Sequence, residues 1–124
     1  MTPPADLASD SPIDAFINAG LTEVGLEAAP PATPSAQLRR LAFDLTGLPP
    51  DQAELEAFIQ SPTEDDYSRM VEQYLASPQF GEKWAQHWLD LVRYAETRGH
   101  EFDYPIAEAW RYRDWVIRAL NSDL

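Results

Sequence analysis

Five times along the chain, a residue able to cap a helix stands directly before apolar residues recurring at i, i+3 and i+4, and this repeated pairing restricts the chain to helices. Ser11-Pro12 precedes Ile13, Phe16 and Ile17 in a short first helix expected to end by Gly20. Thr33-Pro34 precedes Leu38, Leu41, Ala42 and Leu45, a stripe that ends at Thr46-Gly47. Asp51, with Glu54 three residues on, opens a segment carrying Leu55, Phe58 and Ile59. Thr63 with Asp66 opens the next, which carries Tyr67, Met70, Val71, Tyr74 and Leu75. No segment alternates with period 2 and no internal repeat is found. The expected fold class is therefore all-α, a small bundle of about five or six helices with a flexible N-terminal arm.

Ser77-Pro78 is expected to open the longest element, running to about Thr97 with Gly99 as its stop and Phe80, Trp84, Trp88, Leu91, Val92 and Ala95 along one side. A last helix is expected over about 107–121, presenting Trp110, Val116, Ile117 and Leu120, with Trp115 on a different face. All four tryptophans, and nine of the fourteen aromatic residues, fall between Phe80 and Trp115. A buried ring contributes on the order of 4–6 kcal/mol gross, an upper bound. On that arithmetic the last two helices should hold the core.

The organisation expected along the 124 residues is a flexible tail over 1–11, a short helix plus a proline-rich linker over 12–36, and a helical body over 37–124. At this length the chain has room for one sizeable core. Nine basic against twenty-one acidic residues give a net charge of −12, which repels phosphate backbones and anionic lipid, so nucleic-acid binding is excluded as a function. No signal peptide and no membrane-inserting run are present in the sequence. With no cysteine, the chain has no disulfide, thiolate metal site, cysteine nucleophile or covalent haem attachment.

The residues able to carry chemistry lie near the end of the long helix. On helical spacing His87, Asp90 and Tyr94 fall on neighbouring ridges, and with Arg93 and His100 they form the candidate acid/base set. The simpler reading makes His87 a core-edge histidine, hydrogen-bonded and packed on Trp84 and Trp88. A metal centre would draw on His87 or His100 with Asp90, Glu101 or Asp103, but this spacing matches no defined ligand set, so none is assigned. Non-covalent haem would need His87, His100 or Met70, again without supporting spacing. Arg93, Arg98, Arg111, Arg113 and Arg118 are either holders of a substrate carboxylate or sulfate, or partners of nearby acids, with Arg113 beside Asp114 the densest case. Tyr104, Tyr112 and Trp115, the aromatics least explained by the stripes, are candidates for stacking on sugar rings.

Three strings stand in order: LRRLAFDLTGLPP at 38–50, SPQFGEKWAQHWLDLVRYAETRGHEFD at 77–103 and AWRYRDWVIRALNSDL at 109–124. Together they resemble the planctomycete cytochrome c-linked domain of unknown function, over roughly residues 12–124. The resemblance implies an exported protein, periplasmic or extracellular, in which this domain sits between a c-type cytochrome module and a further domain. Haem c is expected only in that upstream module, with no cofactor in this segment. The family brings no established catalytic residues, and its domains continue past the position of Leu124, so the body is expected to be truncated there. The leading expectation is a non-catalytic scaffold or interaction domain whose partners are other domains of its parent protein. The alternative is an enzyme or glycan-binding module acting on polysaccharide, and the third is an accessory part of a haem electron-transfer protein.

Overall fold

The computed structural model describes residues 11–60, 62–99 and 101–124. Among them six helices form in chain order: α1 (Pro12–Glu23), α2 (Pro34–Thr46), α3 (Gln52–Gln60), α4 (Glu64–Leu75), α5 (Pro78–Leu91) and α6 (Trp110–Asn121). The protein is an all-α small bundle, without a strand among the described residues. None of these helices is long and apolar enough to cross a membrane. The chain divides into two compact units between Ala32 and Thr33, so α1 is described by itself and α2–α6 form the second unit. Residues 1–10, nearly all of the expected tail, lie outside the described residues.

Local signals explain most helix ends. Ser11 and Thr33 stand at the N-caps of α1 and α2, where their hydroxyls accept the amides of Asp14 and Ala36 at 3.4 Å each. Gly47 closes α2 in the left-handed conformation (φ 73°). At α3, Asp51 accepts the Ala53 amide while Glu54 accepts the Asp51 amide. Thr63 and Asp66 form a reciprocal capping box at α4. The first helix runs through Gly20 to Glu23, three residues further than expected. Its stop is Gly25 (φ 72°), with the Leu26 amide bonded back to the Leu21 carbonyl at 2.9 Å.

The core does not sit where the aromatic count placed it. Leu38, Leu41 and Ala42 of α2 meet Phe58 of α3 and Met70 and Tyr74 of α4 in one buried cluster, with Leu45, Leu55, Tyr67 and Val71 packed around it. Leu38 is fully enclosed. In the α5–α6 pair only Gly81, Ala85 and Val116 are buried. Close approach there comes from small residues, not indoles. A Cβ on Gly81 would lie 2.6 Å from the Ile117 carbonyl oxygen of α6. All four tryptophans are exposed, from 40% at Trp84 to 56% at Trp115. The stripe along α5 is therefore apolar but uncovered.

Candidate functional site

The acid/base set depended on one continuous helix from Pro78 to about Thr97, and α5 ends six residues earlier, at Leu91. Arg93 takes a left-handed conformation (φ 56°). Its amide bonds to the Asp90 carbonyl at 3.2 Å, and the Tyr94 amide reaches the Leu89 carbonyl at 2.9 Å. These two bonds make a Schellman stop with arginine at the position usually held by glycine. Tyr94 thus follows the helix instead of sharing a ridge with His87 and Asp90. The final helix also starts later than expected, at Trp110, because Glu108 (φ 65°) breaks the helical path before it.

These changes take Tyr94 off the ridge that His87 and Asp90 still share on α5. His87 is exposed, its ring against Trp84 with centroids 5.3 Å apart, and it makes no hydrogen bond with the described residues. Asp90 and Arg93 are exposed and form no ion pair among the described residues. Tyr94 donates to Glu96 Oε1 at 3.0 Å and lies against Tyr112, with centroids 6.1 Å apart. His100 lies outside the described residues. Met70, the thioether considered for haem, is buried in the α2–α4 core. Among the described residues no group of three or more histidines and carboxylates could hold a metal ion.

A different polar group does assemble. Glu96 accepts both Tyr94 and Arg113 Nη1, the latter at 2.5 Å, and Arg113 also grips Asp114 Oδ1 through Nε at 3.1 Å. The Asp114 bond, with Glu96 adding charge attraction, raises the Arg113 pKa. Desolvation, then the bond to Glu96, raises that of Tyr94 and holds the phenol neutral. A phenol held neutral and an engaged carboxylate brace the chain onto α6; they are not an activated base. The place of Glu96 at the centre of this group depends on the turn at Arg93. The hairpin that follows is closed by the Ile106 amide on the Glu96 carbonyl (2.8 Å) and the Arg98 amide on the Tyr104 carbonyl (3.1 Å).

The stacking candidates divide between two places. Tyr104 lies in the hairpin, exposed and stacked on Phe102 at 6.1 Å. Tyr112 and Trp115 stack on each other with 16° between their planes. Tyr112 also accepts a hydrogen bond from Trp88 Nε1 at 2.9 Å, which ties α5 to α6. With Phe80, Trp84 and His87 in ring contact along α5, these residues make an aromatic face continuing into exposed Leu91 and Val92. An open cleft of about 530 Å³ lies elsewhere, among α2, α3 and α4, where it is lined by Arg40, Asp44, Phe58, Thr63 and Tyr67 and includes none of the candidates.

The sequence pattern carried by these helices matches, over residues 12–124, the family described as PSCyt2, protein of unknown function (DUF1549). The chain belongs to the PSCyt2 family. No curated protein and no solved structure matches it. PSCyt2 is thus the planctomycete cytochrome-associated domain of unknown function that the three strings resemble. The PSCyt2 description assigns no activity, so roles for individual residues rest on geometry.

Proposed function

We propose that this chain is a non-catalytic helical interaction domain of an exported protein, and that the aromatic face of α5 and α6 is its working surface, docking another domain of the same parent. The observation that carries this reading is the exposure of Trp88, Tyr112 and Trp115 as one connected group, with exposed Trp84 one turn before Trp88 on α5 and Leu91 at 79% exposure after it. Contiguous exposed aromatics are the usual anchors of protein interfaces, whereas solitary exposed apolar residues carry no such meaning. The departure of Tyr94 from the ridge of His87 and Asp90 supports the non-catalytic half of the reading.

The test is Trp88→Glu with Trp115→Glu in the full-length parent, read by limited proteolysis and co-purification of the separated domains. Association should fall at least tenfold while helical circular dichroism stays unchanged. Association that survives both substitutions overturns the proposal. The stacked Tyr112–Trp115 pair favours a second reading, polysaccharide binding, because an exposed ring face at the end of a nearly parallel stack offers an apolar surface to a sugar face. Specific signal on a glycan array, lost in Trp115→Ala, would establish that reading in its place.

A further inference from the structure

We infer that the C-terminal end of α6 is a releasable latch on the start of α5, and that Ser77 is the reserve cap that keeps α5 intact when the latch opens. Two observations carry it, one from the hydrogen bonds of the first turn and one from an idle hydroxyl.

The start of α5 departs from the pattern of the four helices before it. At α1, α2, α3 and α4 the carbonyl of the residue before the helix accepts the amide four residues on, from Ala15 to Ser11, Gln37 to Thr33, Leu55 to Asp51 and Tyr67 to Thr63, at 2.9–3.0 Å. At α5 the Ser77 carbonyl accepts the Phe80 amide instead, three residues on, at 3.1 Å. The Gly81 amide, which would complete the regular turn, donates to Asn121 Oδ1 of α6 at 2.8 Å. Asn121 Nδ2 in turn donates to the Pro78 carbonyl at 3.1 Å. The first turn of α5 is tightened because a side chain of another helix has drawn off one of its amides.

Ser77 has the backbone of a working cap. Its φ of −79° and ψ of 145° fall within the range spanned by Ser11, Thr33 and Thr63, whose hydroxyls each accept the amide three residues on. Rotation about χ1 brings the Ser77 hydroxyl to the corresponding amide, that of Phe80. In the latched state this hydroxyl oxygen is buried without a hydrogen-bond partner, a cost that the rotation removes. When Asn121 withdraws, the Gly81 amide returns to the Ser77 carbonyl and the Phe80 amide passes to the Ser77 hydroxyl. Two hydrogen bonds between helices are exchanged for two within α5, and the side-chain amide of Asn121 passes to water, so the helix start is satisfied in either state. The other polar ties of α6, Tyr112 to Trp88 and Arg113 to Glu96, lie in its first turn. The helix therefore stays held at that end and opens at Asn121.

The experiment is a double-mutant cycle of Ser77→Ala and Asn121→Ala in the full chain, read by urea denaturation and by amide hydrogen exchange. Alone, Ser77→Ala should change the unfolding equilibrium constant less than about twofold, because the hydroxyl it removes makes no bond. In the Asn121→Ala background the same substitution should raise that constant about fivefold, the worth of an N-cap. The Gly81 amide should stay protected in Asn121→Ala and exchange about tenfold faster in the double variant. An equal cost of Ser77→Ala in both backgrounds overturns the inference, and is the result expected of a hydroxyl held by a bound water. Loss of Gly81 protection in Asn121→Ala alone overturns it as well. So does failure of that variant to fold, since a reserve cap predicts a folded chain.

Discussion

Asn121, the last residue of α6, caps the start of α5: its Oδ1 accepts the Gly81 amide at 2.8 Å and its Nδ2 donates to the Pro78 carbonyl at 3.1 Å. Ser77 occupies the N-cap position but makes no side-chain cap bond, and its hydroxyl oxygen is buried without a hydrogen-bond partner. The cap that Ser77-Pro78 announces is therefore supplied from forty residues away, and it holds the two helices together. Asn121→Ala should cost about 1 kcal/mol by loss of this cap. Gly81→Ala should cost about 1–3 kcal/mol, because the new methyl group meets Asn121 and the Ile117 carbonyl below 3 Å and α6 must move away. Urea denaturation of the two variants measures both.

The stop of α5 can be improved. Arg93 holds a left-handed backbone conformation that costs a residue with a Cβ on the order of 1 kcal/mol and glycine much less. Arg93→Gly should raise the thermal midpoint, corresponding to about 0.5–1 kcal/mol. A lowered midpoint would mean that the arginine side chain contributes more than its strained backbone costs.

Core and face respond differently to truncation. Leu38→Ala removes a fully enclosed side chain and should cost about 2–5 kcal/mol. Trp115→Ala removes a larger side chain that is 56% exposed and should cost less than about 1 kcal/mol. Chemical denaturation of the two variants side by side decides which half of the body holds the core.

Acid should loosen the start of α4. The Thr63 hydroxyl bonded to Asp66, opposed by desolvation and aided by the Thr63 amide and Arg69, holds the Asp66 carboxyl below its ordinary value near 3.8. A group depressed on folding contributes stability above its unfolded value, lost as pH falls through the folded one. Thermal midpoints should drop as pH falls below about 3.8. The drop should be shallower in Asp66→Asn, since that variant has no proton to take up. Parallel curves for the two proteins would show that the capping carboxylate contributes nothing to the acid response.

What could be read from the residues depended on whether the deciding interaction was local. Helix α2 was legible because its cap, its stripe and its stop all lie within fifteen residues, ending at a glycine that the left-handed turn favours. The end of α5 was not, because Gly99 offered a familiar stop while the actual turn was made by Arg93. The stripe of Trp84, Trp88 and Leu91 correctly marked an apolar side of α5. Periodicity reports that a side is apolar, however, and carries no information on whether anything covers it. Assuming a cover moved the core to α5 and α6, when Leu38, Phe58, Met70 and Tyr74 form it in α2–α4. The ridge drawn through His87, Asp90 and Tyr94 changed with the helix length, since Tyr94 shares it only if the helix passes Arg93.

The most direct test is the solvent exposure of the indoles in the folded chain, read as the tryptophan emission maximum and its quenching by acrylamide. With Trp84, Trp88, Trp110 and Trp115 between 40% and 56% exposed, emission should lie well to the red of a buried indole and acrylamide should quench it readily, at a substantial fraction of the quenching in the urea-unfolded chain. Blue-shifted emission that resists acrylamide would place the indoles inside, and would contradict both the core in α2–α4 and the docking face on α5 and α6.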